Sequence, residues 1–256
     1  MSKFVSGYLS SPCYGSNSLR EIDQDTTDFL EITGFDLMER AGSASFHFLQ
    51  NHRPSADRIV VLCGTGSNSG DGWIVARLAL NCGLKCRVFL MGSSDQLAGP
   101  SLHAFENWQT VSQRPASHIS FFELLDLNNV DLVIDALVGT GFRPKGTTDL
   151  SKIAAKLNES PVSVLAIDMP SGLDSDTGAV CSSTIRADRT ITFLAHKPGL
   201  LTGPALDYVG IVSLASLGVP DLALKRDDAK ANRVSKPEFA SMPLRKRDRS
   251  GHKGCF

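Results

Sequence analysis

Apolar residues recur at helical spacing from the start of the chain: Leu19, Ile22, Phe29 and Leu30, then Leu37, Met38, Ala41, Ala44 and Phe48. Gly34 is expected to separate two helices there. Beyond residue 57, short β-branched runs at 58–63, 85–91, 130–138, 162–169, 189–195 and 210–215 alternate with segments of helical length at 72–81, 99–113 and 149–159. Such alternation predicts βαβ units and a parallel sheet. The runs are apolar without strict two-residue alternation, as strands covered by helices on both faces must be. The pattern therefore predicts an α/β fold, a doubly wound three-layer α/β/α sandwich around a mostly parallel central sheet.

From Asp221 onward the chain turns to Lys, Arg, Asp, Ser and Pro with few large apolar residues, which reads as linker or tail. The domain is accordingly expected to occupy residues 1–220. Over 256 residues, 26 basic and 27 acidic side chains leave a net charge of -1, so no global electrostatic footprint for nucleic acid or an anionic membrane is present. No apolar run approaches the roughly 20 residues of a spanning helix, and residues 1–15 lack the apolar core of a secretory signal. Cytoplasm is the expected location. The six cysteines form no CxxC pair and read as reduced thiols.

Three loops hold the candidate chemistry. Gly64-Thr65-Gly66-Ser67-Asn68-Ser69-Gly70-Asp71-Gly72 lies between the first run and a helix, where glycines permit close backbone approach and a helix start offers free N–H groups to an anion. It lacks the Gly-Lys-Ser/Thr of a P-loop and reads GxGxxxG rather than GxGxxG, so phosphate binding and a plain tight turn both remain open. "VDLVIDALV" ends in Gly139-Thr140-Gly141, and "VSVLAIDMP" leads into Ser171-Gly172-Leu173-Asp174. If these strands are parallel, their loops share one carboxyl edge and gather Asn68, Asp71, Asp135, Asp168 and Ser171. Asp135 alone reads as a strand-end hydrogen-bonding group and Asp168 as a turn former. Two acids ending neighbouring apolar strands need partners, and a hard monovalent or divalent cation held by Asn, Asp and Ser oxygens is one. In the loop Ala195-His196-Lys197-Pro198-Gly199, Lys197 is either a solvent-facing charge or a phosphate contact. No histidine has the spacing of a nucleophilic triad.

Five stretches in order, "LREIDQDTTDFLEITGFDLMERAG", "CGTGSNSGDGWIVAR", "VDLVIDALVGTGF", "VLAIDMPSGLDSDTGAV" and "TITFLAHKPGLLTGPALDYVG", resemble the YjeF N-terminal domain, the NAD(P)H-hydrate epimerases. The final "LRKRDRSGHKGCF" is similar to the opening of the ADP-dependent dehydratase domain that follows in bifunctional members, so residues 221–256 are expected to be linker and the start of that domain. The resemblance implies a Rossmann-like homodimer acting on a small molecule, interconverting the R and S epimers of NADH and NADPH hydrated at C6 of the reduced ring. It implies substrate contacts at Ser67, Asn68, Ser69, Gly70 and Asp71 and at Gly139, Thr140, Gly141, Phe142, Arg143, Pro144 and Lys145. It further implies a potassium ion held by Asn68, Asp135 and Ser171, and Asp168 as the catalytic acid. The family's usual Asn-Asn-Gly-Gly-Asp is here Ser67-Asn68-Ser69-Gly70-Asp71, with serine at a glycine position.

Two other readings share these residues. An NAD(P)-dependent oxidoreductase needs an acid about 20 residues after the glycine loop to hold the ribose. The strand "KCRVFLMGSSDQ" offers only Asp95. A non-catalytic partner-binding protein on the same fold, which the family also contains, needs none of the acid–base groups.

Overall fold

The structure, a computed structural model, describes residues 10–120, 126–141, 148–219 and 228–234. Among the described residues, nine strands and five α-helices follow in the order β1 (Ser10–Cys13), α1 (Ser16–Leu30), α2 (Gly34–His52), β2 (Arg58–Cys63), α3 (Ser67–Asn81), β3 (Lys85–Leu90), α4 (Gly99–Val111), β4 (Ser117–His118), β5 (Leu132–Ala136), α5 (Thr148–Asn158), β6 (Ser163–Ile167), β7 (Arg189–Phe193), β8 (Ile211–Ala215) and β9 (Ala231–Val234).

Seven strands form one parallel sheet in the order β4-β3-β2-β5-β6-β7-β8. Alternate strand residues feed two cores. Ile59, Val61, Ile134 and Leu165 pack beneath α2, α3 and α4, while Val60, Leu62, Val133 and Val164 pack beneath Leu150, Ile153 and Leu157 of α5. Both faces are covered, which is why the strands read as unbroken apolar runs. The chain leaves β2 toward β3 on one side and β5 toward β6 on the other. A crevice therefore opens above the carboxyl ends of β2 and β5, the usual ligand position in such sheets.

Three boundaries differ from those the sequence predicts. The break between the first two helices is Glu31–Thr33, not Gly34: Glu31 turns left-handed at φ 52°, and Thr33 exchanges hydrogen bonds with Asp36, so Gly34 is already helical. α3 begins at Ser67 rather than Gly72, so most of the glycine loop is helix. Within 221–256, expected as linker, residues 231–234 pair antiparallel with β1, and Asp228 accepts from Ser18 Oγ at 2.5 Å. The dehydratase-like end, 244–256, lies outside the described residues. Among the described residues, no helix is long and apolar enough to cross a membrane.

Candidate active site

A cavity of about 910 Å³ lies at the carboxyl edge of the sheet, walled on the opposite side by α1 and α2. Asp176 sets the position of α1 by accepting from the backbone N–H of Ser16 at 2.7 Å and from its hydroxyl at 2.8 Å, which places a carboxylate at the helix N-terminus. Of the residues singled out from the sequence, Ser67, Asn68, Asp71, Gly139, Thr140, Gly141, Asp168 and Lys197 line this cavity. Phe142, Arg143, Pro144 and Lys145 lie outside the described residues.

Asp168 follows the last residue of β6 with φ at 66°, a left-handed conformation that costs a non-glycine residue of order 1 kcal/mol and is commonest at functional sites. Its N–H is tied to Ile191 of β7 at 2.7 Å, which holds the turn. The side chain meets Lys197, whose Nζ donates to Asp168 Oδ1 at 2.5 Å, to Thr192 Oγ1 at 2.7 Å and to the carbonyl of Phe193 at 3.2 Å. Thr192 Oγ1 also donates to Asp168 Oδ1, at 3.3 Å. The expected phosphate contact of Lys197 is thus replaced. All three ammonium donors are spent around Asp168, and the side chain is only 3% exposed. Lys197 orients a carboxylate instead of neutralising a ligand.

Asp135, Ser171 and Asn68 assemble just behind the cavity wall. The Asp135 carboxylate accepts from the N–H of Ser171 at 2.8 Å, its hydroxyl at 2.6 Å and the N–H of Leu137 at 3.3 Å. Burial nevertheless raises it to about 6, because those hydrogen bonds only partly offset desolvation. Asn68 Nδ2 donates to the carbonyl of Val138 at 3.3 Å, the same carbonyl that Ser171 Oγ approaches at 3.3 Å. Its Oδ1 is buried and, among the described residues, has no hydrogen-bond partner. A buried acid and an orphaned amide oxygen beside one shared carbonyl form an oxygen-rich donor set suited to a hard cation.

The start of α3 presents Thr65, Gly66, Ser67 and Asn68 to the cavity, where its first N–H groups have no intrahelical partner. Ser69 and Gly70, expected in the same ligand loop, turn inward. Ser69 is helical, fully buried, and donates its hydroxyl to the carbonyl of Gly66 at 2.6 Å, so serine is compatible with this glycine position. At Gly70 a Cβ would lie 2.1 Å from Met38 Sδ, so a larger residue there would displace the end of the Met38 side chain. Asp71 sits one turn further on, 8% exposed and facing the cavity.

Sequence reasoning missed the contribution of α1, which brings Arg20, Asp23 and Gln24 to the opposite wall. The one available signal was that Asp23 borders the buried stripe formed by Leu19, Ile22 and Thr26. Asp23 keeps an exposed edge at the mouth of the cleft, yet crowding by the cleft walls raises it above the usual carboxylate range, with Lys197 opposing and Asp168 adding. Burial, then the Asp168 and Asp23 charges, push Asp71 well above the usual carboxylate range against the pull of Lys197. Lys197 is thus bonded to Asp168 and acts on Asp23 and Asp71 only through space. His196, beside Lys197, is buried against Arg233 of β9 at 3.1 Å and held near 3 by burial and by the Arg233 and Lys197 charges, which makes it a packing residue.

A parallel α/β sheet with a polar crevice at the point where strand order reverses, lined by a helix N-terminus and paired acids, defines a doubly wound nucleotide-type fold. The family model described as YjeF-related protein N-terminus matches residues 34–199, and the chain belongs to that family. It is 38% identical over 240 residues to the bifunctional NAD(P)H-hydrate repair enzyme Nnr of Escherichia coli, covering 93% of this chain and 45% of that protein. To the enzyme of the same name from Coxiella burnetii it is 34% identical over 244 residues, covering 95% and 49%. The chain thus spans about half the length of these curated relatives. The crystal structure of the yeast protein YNL200c superposes with a TM-score of 0.67 at 20% identity, over 79% of this chain and 86% of that one, and so shares the fold.

Proposed function

We propose that the chain is an epimerase that interconverts the R and S forms of NADH and NADPH hydrated at C6 of the reduced nicotinamide ring. The observation that supports this most is the Asp168–Lys197 pair at the rim of a cavity whose volume suits a large polar ligand. C6 carries both the hydroxyl and the ring nitrogen. Protonation of the hydroxyl oxygen lets the nitrogen lone pair expel water and form a planar iminium, and water then returns to either face. Asp168 exchanges the proton at the C6 oxygen, with Lys197 and Thr192 fixing its rotamer. The free N–H groups at the start of α3 suit the dinucleotide's phosphates. No redox step is needed. An oxidoreductase is less well supported, because Asp95 is exposed and does not line the cavity.

Potassium fits the set Asn68, Asp135 and Ser171: the amide oxygen lacks a partner, and the buried acid lacks a cationic neighbour among the described residues. When bound, the ion would supply positive charge beside the ligand loops. The activity is tested by following R/S interconversion of hydrated NADH with purified wild-type protein and with Asp168→Asn. Loss of about 10²–10⁴-fold is expected in the variant. Equal rates would remove Asp168 from the reaction, and absence of interconversion in the wild type would overturn the assignment in favour of a binding module.

A further inference from the structure

Epimerisation at C6 poses a geometric demand that one carboxylate does not meet. The hydroxyl leaves from one face of the planar ring, and the water that inverts the centre must arrive on the other. A group that hands over a proton on the first face cannot also take one on the second without the ring turning over in the site.

We propose that Asp71 is the second acid–base group, serving the face of the nicotinamide ring opposite to the one that Asp168 serves. This rests on the epimerase reading above. Asp71 rises from α3 after β2, and Asp168 from the turn after β6. Both side chains line the one cavity at the carboxyl edge of the sheet, each within electrostatic reach of the other. The loop after β5 lines the same cavity through Gly139, Thr140 and Gly141. Enzymes that add water to one face of a sugar while a leaving group departs from the other space their two carboxyls by about 6.5–9.5 Å for the same reason.

The two acids also have complementary environments. Asp168 is ion-paired to Lys197, whose Nζ lies 2.5 Å from Oδ1, an arrangement suited to a base. Asp71 is more than nine-tenths buried, faces the cavity, and has no hydrogen-bond or ion-pair partner among the described residues. The charged and titratable groups that share its surroundings are Arg20 and Asp23 from α1, Cys63 from β2, Asp168 after β6 and Lys197 after β7. Two of these are carboxylates that oppose its ionisation, and burial opposes it further, so Asp71 holds a proton more readily than an ordinary carboxyl and suits the role of acid.

The proton count closes. Asp71 gives its proton to the C6 oxygen, the C–O bond breaks, and the ring-nitrogen lone pair forms the C=N bond as water departs. A water on the other face adds to C6, the C=N electrons return to nitrogen, and Asp168 takes the proton from that water. The enzyme now holds its proton on Asp168 rather than Asp71. It resets through solvent, or runs the same path backward on the other epimer.

The test is epimerisation of hydrated NADH by wild type, Asp71→Asn and Asp71→Glu, each with a pH profile and a thermal melt. Asparagine matches the neutral acid in size and charge, so its melting temperature should stay within a few degrees of wild type. The rate constant kcat should fall at least 100-fold with KM changed less than threefold, and Glu should restore part of it. In the wild type, kcat should decline at alkaline pH as Asp71 ionises, and this limb should vanish in Asp71→Asn. A wild type that epimerises beside an equally active Asp71→Asn overturns the proposal and leaves the epimerase reading standing, as does a raised KM with kcat kept. A wild type that does not epimerise overturns both. If Asp71→Asn fails to fold, absence of the alkaline limb in the wild type alone suffices to refute the role.

Discussion

Replacing Asp135 by Asn isolates the cation proposal from the acid–base chemistry, because Asp135 sits behind the cavity wall and not in it. The carboxyl is fully buried and raised to about 6 from 3.8. At roughly 1.4 kcal/mol per unit, keeping it ionised at pH 8 without a counter-ion costs the folded state about 3 kcal/mol. The folded pKa exceeds the unfolded one, so the penalty is present above about pH 6 and disappears as pH falls toward 4. A bound cation offsets it. Asparagine removes the charge but can accept only one of the two Ser171 donors, leaving a buried donor unmet at about 1–3 kcal/mol. The terms nearly cancel, so Asp135→Asn in choline chloride at pH 8 should melt within a few degrees of wild type. Moving the wild type to potassium chloride at equal ionic strength should raise its melting temperature by about 5–10 °C when the ion stands at a hundred times its dissociation constant. The shift should shrink at pH 5 and be absent in Asp135→Asn. An unchanged wild-type melt between the two salts at pH 8, or a potassium shift that survives in Asp135→Asn, would refute the assignment of this donor set.

Lys197→Met keeps the length of the stem but withdraws all three donors from Asp168, Thr192 and Phe193. Stability should drop by about 3–5 kcal/mol in chemical denaturation, as for any buried pair with one partner removed. Turnover should collapse with KM nearly unchanged; a tenfold rise in KM at full kcat would reinstate the phosphate role. The glycine loop offers a paired comparison by urea titration. Gly64→Ala would set a Cβ 2.0 Å from the carbonyl of Leu137 and should cost about 3 kcal/mol or more, whereas Gly66→Ala meets nothing within 4 Å and should cost under about 1 kcal/mol. Similar losses at both positions would contradict the close-packing account of this loop.

What could be read from the chain before folding was whatever depends on period and order. Parallel strands with helices between them force every following loop to one edge, so Asn68, Asp71, Asp135, Asp168 and Ser171 could be assigned to one rim from spacing alone. Their finer roles depend on which side of a strand end each side chain takes, and that is decided by packing. Lys197 illustrates the difference. In sequence it is a cation in a Pro-Gly loop 29 residues from Asp168; only the pairing of β6 with β7 makes it the neighbour that consumes that carboxylate's charge. β9 was illegible for a related reason. Ala231–Val234 has no apolar run of its own, and its order comes from β1, 218 residues away, through backbone pairs that any sequence can make. Asp23 escaped because an acid on the border of a helix stripe looks the same whether it faces solvent or a cleft. The site is thus legible where topology alone places a residue, and opaque where a residue's meaning is the identity of its partner.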